Sequence, residues 1–289
     1  MGLTSPDRVS EGHRSAAHDG HAGERWVAIA GDWHSSRFAA RNAMHLVRLH
    51  FPEVGTILHL GDFNLGSEKP WVGYRNALRD AMRENGMRRI LVTPGNHDNW
   101  DRLAPHFAAH PDAPYTVPHL ESLSFLPRGY RFMLGGRSFL SFGGASSPDQ
   151  EKRTRGKNWW PEEEPSKKEA DFATQPGRVD VMLTHEAVNG GTAKVDEIIA
   201  RPDLRLFTAH GLEASRRSRA LVTDVWNQAS PRVLFHGHMH VKDERSLPDH
   251  RRVYSLAAEQ MHGNVGVLDL TDLSWVWLAE PPVAFNPSP

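Results

Sequence analysis

Residues 26–34 read WVAIAGDWH, and the same kind of pattern returns as TILHLGDFN at residues 56–64 and as ILVTPGNHD at residues 90–98. In each stretch an apolar run typical of a buried strand ends in a turn that contains glycine, and polar residues follow. Between these stretches, residues 36–50 and 71–87 place apolar side chains at helical spacing. The order strand–helix–strand–helix–strand predicts parallel strands joined by crossover helices.

The rest of the chain adds more strands than helices. A helix is predicted at residues 213–228. Strands are predicted at residues 122–126, 130–134, 137–142, 179–183, 232–235, 252–256, 265–270 and 273–278. Parallel units followed by late antiparallel strands predict an α/β fold of two sheets flanked by helices. We expect one domain at residues 25–279, between a flexible tail at residues 1–24 and an irregular, proline-rich tail at residues 280–289.

The composition excludes several classes of protein. The chain of 289 residues has no cysteine, which rules out disulfides, thiolate metal sites, iron–sulfur clusters and cysteine nucleophiles. Its net charge of -1 lacks the basic excess of a general nucleic-acid binder. It has neither the apolar run of roughly 18 residues that a membrane-spanning helix needs nor an apolar segment of the signal-peptide type near its start. We therefore expect a cytoplasmic protein that does not engage a membrane.

Polar residues of the metal-ligand type follow five of the predicted strands. They are Asp32 with His34, then Asp62, then Asn96 with His97 and Asp98, then His185, and finally His238 with His240. Because ligands bind at the carboxyl ends of strands in open α/β sheets, we expect these side chains to converge. Their oxygen and imidazole donors suit Mn, Fe, Zn or Ni. Each motif alone indicates little more than a capped turn, but all five in order predict two metal ions that share a ligand.

These motifs resemble the ordered signature of the calcineurin-like metallophosphoesterases, which reads D-x-H, G-D, G-N-H-[DE], H and G-H-x-H. All five are present between Asp32 and His240. The resemblance implies a four-layer α/β/β/α sandwich of two mixed sheets flanked by helices, with two divalent metal ions. It implies that one ion is held by Asp32, His34 and His240, and the other by Asn96, His185 and His238, with Asp62 bridging them.

The resemblance also implies a metal-dependent phosphoric ester hydrolase. A hydroxide that bridges the two metals is expected to attack phosphorus in line, and His97, which does not bind metal, is expected to protonate the leaving group as a general acid. The expected substrate is a phosphate ester, and nucleic acids and nucleotides stay open as candidates. Manganese is among the expected metals. No obligate protein partner is evident from the sequence.

One departure from the family pattern concerns the second motif. In the protein Ser/Thr phosphatase branch this motif reads G-D-x-x-D-R-G, whereas residues 61–67 here read GDFNLGS, with Leu65 in place of the second Asp. That Asp orients the catalytic histidine, so Asp98 or a backbone carbonyl is expected to hold His97 instead. The departure favours a phosphodiesterase. A phosphomonoesterase or protein phosphatase, and a non-catalytic scaffold with the same fold, stay open as alternatives.

A second and narrower resemblance concerns residues 143–163. Their GGASSPD, followed by Arg153 and then WWPEE, is similar to a G-G-A-x-S-x-D…R…W-W-P-E-E stretch in a subgroup of bacterial and phage metallophosphoesterases. We expect a flap over the site, with Arg153 as a candidate contact for substrate phosphate. The two tryptophans are expected to pack on the surface of the domain. The EEEPSKKE run at residues 162–169 is expected to be a solvated helix start, and the RRSR run at residues 216–219 is expected to be a solvated helix face.

Overall fold

A computed structural model describes residues 23–64, 69–175 and 177–279 of the chain. Leu65, most of the predicted N-terminal tail and all of the predicted C-terminal tail lie outside these residues. Glu24, at the end of the predicted N-terminal tail, accepts a hydrogen bond from Thr56 Oγ1 at 2.8 Å and forms ion pairs with Arg88 and Arg89. Within the described part of the chain, no helix is both long enough and apolar enough to cross a membrane.

The described residues form thirteen β-strands and six α-helices. The strands are β1 (Trp26–Ala30), β2 (Thr56–His59), β3 (Arg89–Val92), β4 (Tyr115–Val117), β5 (Leu120–Phe125), β6 (Tyr130–Leu134), β7 (Arg137–Phe142), β8 (Val181–Thr184), β9 (Val233–His236), β10 (Asp243–Ser246), β11 (Arg252–Ser255), β12 (Val265–Asp269) and β13 (Trp275–Trp277). The helices are α1 (Arg37–His50), α2 (Lys69–Glu84), α3 (Trp100–Ala109), α4 (Lys167–Thr174), α5 (Ala193–Ala200) and α6 (Ala209–Ala229).

The strands pair into two mixed sheets. The first has the order β13-β12-β1-β2-β3-β5-β4, and the second has the order β10-β11-β9-β8-β7-β6. In the first sheet β1, β2, β3 and β5 run parallel, as the strand–helix pattern predicts. In the second sheet β7, β8, β9 and β11 run parallel. Antiparallel strands complete both sheets at their edges, including the late strands β12 and β13.

Three apolar clusters stack these elements into four layers. Successive residues of β1 face opposite ways, so Ala28 belongs to the cluster under α1 and α2 while Ile29 belongs to the cluster between the sheets. Trp226 of α6 belongs to the third cluster, which packs α4 and α6 against the outer face of the second sheet. The predicted α/β/β/α sandwich of two mixed sheets flanked by helices is confirmed.

Some local predictions missed or misjudged elements. The sequence patterns gave no sign of α3, α5, β4 and β10, and they indicated only the start of α4. The prediction that residues 216–219 are solvated is wrong for Ser218 and Arg219, which are buried on α6, where Arg219 Nη1 donates to Ser215 Oγ at 2.6 Å. Trp160 is buried in the cluster under the first sheet's helices, which confirms the prediction that it is a packing residue.

Candidate metal centre

The candidate ligands lie on five loops that leave the carboxyl ends of parallel strands. Asp32 and His34 follow β1, Asp62 follows β2, Asn96 follows β3, His185 follows β8, and His238 and His240 follow β9. The first three strands belong to one sheet and the last two to the other. Because the two sheets are stacked, their loops meet at one end of the sandwich. The structure therefore brings together all seven side chains that were expected to hold metal.

These loops turn through left-handed backbone conformations that residues other than glycine seldom adopt. Four of the candidate ligands have φ between 45° and 65°, namely His34, Asp62, His238 and His240. Gly61 precedes Asp62 with a φ of 95°, and a Cβ at Gly61 would lie 2.5 Å from the backbone nitrogen of Gly95. The loops after β2 and β3 thus approach each other more closely than a side chain at position 61 would allow.

The first cluster consists of Asp32, His34, Asp62 and His240. Their candidate ligand atoms all lie within 4.8 Å of one another. His240 Nε2 is 3.1 Å from Asp32 Oδ2, and His34 Nε2 is 3.7 Å from Asp62 Oδ2. The two carboxylates are buried, whereas 45% of the His240 side chain is exposed. This cluster therefore opens to solvent on the side of His240.

The second cluster consists of Asp62, His185 and His238, whose candidate ligand atoms also lie within 4.8 Å of one another. His185 Nε2 is 3.3 Å from Asp62 Oδ1 and 2.9 Å from Asn96 Oδ1, so the Asn96 amide oxygen borders the same space. Asp62 belongs to both clusters. This is the arrangement expected of a ligand that bridges two ions.

Hydrogen bonds from outside the clusters orient two of their members. His185 Nδ1 is 2.7 Å from the carbonyl oxygen of Leu60, so the Nδ1–H group donates there and Nε2 faces the second cluster. Asp32 Oδ2 accepts from the backbone N–H of His238 at 3.0 Å. Partners of this kind fix the tautomer and the rotation of metal ligands.

The charges at this end of the sandwich suit a bound cation. Burial opposes the charged form of His185, yet the Asp62 and Asp32 carboxylates raise its pKa to about 10. Burial likewise opposes ionisation of Asp62, yet His185 holds the pKa of that carboxyl well below its ordinary value. Asp32 Oδ1 and His34 Nε2 are buried and have no hydrogen-bond partner among the described residues. Because buried polar atoms without partners are costly, a divalent cation that accepts these lone pairs fits the site.

His97 lies beside the clusters, where Arg153 contacts its ring. The backbone N–H of His97 donates to Asp62 Oδ1 at 2.9 Å. Arg153 Nη1 is 2.9 Å from His97 Nδ1, and Arg153 Nη2 is 3.1 Å from His97 Nε2. Because a neutral imidazole has one acceptor nitrogen, only one of these two contacts is a hydrogen bond at a time. Asp149 Oδ1 accepts from Arg153 Nε at 2.6 Å. Burial lowers the pKa of His97, Asp62 counteracts this effect, and Arg153 adds to it.

Asp98 is fully buried next to His97 in the chain. Its Oδ2 accepts from the backbone N–H of Gly95 at 2.8 Å, and this bond braces the turn that presents His97. The prediction that concerns Leu65 falls on a residue outside the described part of the chain. Arg153 contacts the His97 ring, and its predicted contact with substrate stays a prediction.

Three polar side chains near the centre were not recognised from the sequence. Glu186 is fully buried, with Oε1 3.9 Å from His238 Nε2. Ser147 Oγ accepts from Asn96 Nδ2 at 2.9 Å, and Glu163 Oε1 accepts from the backbone N–H of Ser147 at 2.8 Å. The prediction that the acidic run is solvated is wrong for Glu163, which is fully buried. An acidic run carries no sequence signal that one of its members points inward.

Comparisons with known proteins agree with this architecture. A family model described as calcineurin-like phosphoesterase matches residues 25–242. A crystal structure of a protein from Thermus thermophilus is 11% identical with a TM-score of 0.51, and the match covers 87% of this chain and 97% of that chain. A dimetal phosphatase from Danio rerio is 10% identical with a TM-score of 0.52, and the match covers 88% of this chain and 93% of that chain. At these identities the likeness concerns the fold. No curated protein sequence matches the chain.

Proposed function

The chain belongs to the calcineurin-like phosphoesterase family and is a metal-dependent phosphoric ester hydrolase, and on that premise we propose that it hydrolyses a phosphodiester at a centre of two metal ions. The observation that carries the proposal is the place of Asp62 in both clusters of candidate ligands. A carboxylate has two oxygens, so one side chain there can contact two ions at once.

We assign the remaining ligands by cluster. One ion is assigned to Asp32, His34 and His240, and the other to Asn96, His185 and His238. This set of carboxylate, amide and imidazole donors fits Mn, Fe, Zn or Ni. When bound, two such ions make the attacking water more acidic and stabilise charge on the attacking oxygen, the leaving oxygen and the phosphoryl group.

The side chains beside the clusters act on the ester itself. We assign to His97 the donation of a ring proton to the leaving oxygen as the bond from phosphorus to that oxygen breaks. The Arg153 guanidinium can donate to phosphoryl oxygens. Burial and Arg153 lower the pKa of His97 in the free protein, and the negative charge of a bound phosphate favours its protonated form. The hydrogen bond from His97 N–H to Asp62 Oδ1 keeps this acid next to the shared ligand.

The second motif supports a diester rather than a monoester. Residues 61–67 lack both the second Asp and the Arg of the protein Ser/Thr phosphatase branch. Hydrolysis of either ester releases one leaving oxygen, which His97 can protonate. A phosphomonoesterase is the second candidate, because the Arg153 guanidinium also suits a dianionic phosphate. Nucleic acids and cyclic nucleotides are the diesters that we propose to examine first.

The test compares bis-p-nitrophenyl phosphate with p-nitrophenyl phosphate after reconstitution of the metal-free chain with Mn²⁺, Fe²⁺, Zn²⁺ or Ni²⁺. The proposal predicts metal-dependent turnover of the diester with a higher kcat/KM than that of the monoester. A preference for the monoester would assign the protein to the phosphomonoesterases instead. If neither substrate turns over and the purified chain holds no stoichiometric metal, the scaffold alternative is correct.

A further inference from the structure

The segment between β7 and α4, residues 143–166, reaches back to the loop that carries Asn96. The backbone N–H of Gly144 donates to the carbonyl oxygen of Pro94 at 2.7 Å. Three residues later, Ser147 Oγ accepts from Asn96 Nδ2 at 2.9 Å. Glu163, near the end of the segment, accepts from the backbone N–H of Ser147 at 2.8 Å. Glu163, Ser147 and Asn96 therefore form one buried chain of hydrogen bonds.

This chain of hydrogen bonds distinguishes the two ends of the Asn96 amide. The oxygen and the NH2 group of an amide have almost the same shape, so a packing contact alone cannot select between them. The Ser147 hydroxyl oxygen carries lone pairs and accepts from Nδ2. Asn96 Oδ1 then lies 2.9 Å from His185 Nε2, in the second cluster. The opposite rotamer would turn two N–H donors toward the cluster, and these cannot bind a cation.

We propose that Ser147 and Glu163 are positioning residues that turn the Asn96 oxygen toward the second cluster and thereby set the affinity of the second metal ion. The proposal rests on the dimetal centre proposed above. Neither residue contacts the clusters directly in the hydrogen bonds described, so each acts through Asn96. Outer partners of metal ligands typically contribute about 10-fold to 100-fold to metal affinity.

The neighbouring pair Ser146 and Glu164 provides a matched control. Ser146 is buried, like Ser147, and its Oγ donates to Glu164 Oε1 at 2.8 Å. The two serines are adjacent in the chain and each is bonded to one of two adjacent glutamates. Only the contacts of Ser147 extend to Asn96 in the hydrogen bonds described. Ser146→Ala therefore removes the hydroxyl of an adjacent buried serine, with its hydrogen bond to a neighbouring glutamate, without the proposed link to the metal centre.

The experiment titrates metal-free full-length chain with MnCl2 by isothermal titration calorimetry. In the wild type we expect two binding events. Ser147→Ala and Glu163→Ala should weaken one event about 10-fold to 100-fold and leave the other within about threefold. Ser146→Ala should match the wild type. Glu163→Gln should restore most of the affinity, because its amide oxygen still accepts from the Ser147 N–H. Electron paramagnetic resonance of the Mn²⁺-loaded chains should show the coupled two-ion signal weakened in Ser147→Ala and Glu163→Ala at equal metal concentration.

A second background separates orientation from folding. In Asn96→Asp the side chain is a carboxylate with two equivalent oxygens, so either orientation presents an oxygen to the second cluster. Adding Ser147→Ala to this variant should change the affinity of each of the two metal-binding events by less than about threefold. Two events of wild-type affinity in Ser147→Ala would overturn the inference and leave the dimetal centre intact. Equal losses in Ser147→Ala and Ser146→Ala would also overturn it, because the effect would then be general destabilisation. A wild type that binds fewer than two ions would overturn the proposed function itself.

Discussion

Asp62 is the residue on which the centre depends. Its Oδ1 is 3.3 Å from His185 Nε2 and accepts from the His97 backbone N–H at 2.9 Å, while its Oδ2 is 3.7 Å from His34 Nε2. Asp62 also has a φ of 49°, a conformation that costs of order 1 kcal/mol or more outside glycine. The backbone N–H of His34 donates to the Asp62 carbonyl at 2.9 Å and helps to hold this conformation. Strain of this kind is typical of functional sites.

At the scale of single residues we expect His97→Ala to separate chemistry from metal binding. The proton donor is lost while both clusters are kept, so kcat should fall about 10²-fold to 10⁴-fold for an alkyl ester. The loss should be smaller for a p-nitrophenyl ester, whose leaving group needs little protonation. Metal content measured by mass spectrometry should equal that of the wild type. Loss of metal along with activity would show that His97 is instead a structural part of the centre.

The sequence identifies the candidate ligands of this site more readily than it identifies the residues that orient those ligands. Asp32, Asp62 and His185 each follow an apolar strand, and the order of the motifs indicates what they do. Ser147 and Glu163 lie in a turn and an acidic run, where polar residues are expected on the surface in most proteins. Their role depends on a long-range contact across the fold, which local patterns do not encode.

Among the secondary-structure elements, those with strong local signals were predicted and those without were not. The buried strands β1, β2 and β3 have continuous apolar runs, and α1 has an apolar face and begins after Ser36, whose side chain accepts from the Ala39 N–H at 3.2 Å. The helix α3 contains Pro105, which usually marks the end of a helix. The helices α4 and α5 have eight residues each, and β10 is mostly exposed, so none of the three shows a clear periodicity of apolar residues.

The segment between β7 and α4 should make the stability of the fold depend on pH. Burial raises the pKa of Glu163 from its ordinary value of 4.5 to about 8. The folded chain therefore keeps this proton at pH values where the unfolded chain has released it. The free energy of unfolding is therefore highest, as far as this group is concerned, below about pH 4.5, and it falls as the pH rises toward 8. Relative to Glu163→Gln, the metal-free wild type should lose up to about 1.4 kcal/mol of unfolding free energy per pH unit in this window.

Urea unfolding of both metal-free chains at several pH values between 5 and 8 measures this difference. The Gln side chain is similar in shape and cannot ionise, so other titrating groups cancel in the comparison. Parallel stability profiles of the two chains would contradict the raised pKa of Glu163.

On the scale of the whole molecule, the centre needs both sheets. Strands β1, β2 and β3 of the first sheet and β8 and β9 of the second supply the candidate ligands, and the apolar cluster between the sheets holds the two sets in register. Neither sheet alone contains a complete cluster, since Asp62 follows a strand of the first sheet whereas His240 and His185 follow strands of the second. The four-layer architecture was implied by the family resemblance of the ordered motifs and is confirmed. The substrate, the metal and the cytoplasmic location stay predictions.

The central claim is that one carboxylate joins two metal ions in a hydrolytic centre. The most direct test counts bound metal and measures diester turnover in the wild type, Asp62→Asn and Asp62→Ala after identical reconstitution with Mn²⁺. We predict two ions per wild-type chain, with metal-dependent turnover. Asp62→Ala should hold at most one ion and show no turnover above buffer, with Asp62→Asn between the two. Two ions and wild-type turnover in Asp62→Ala, or turnover by the metal-free wild type, would contradict the account.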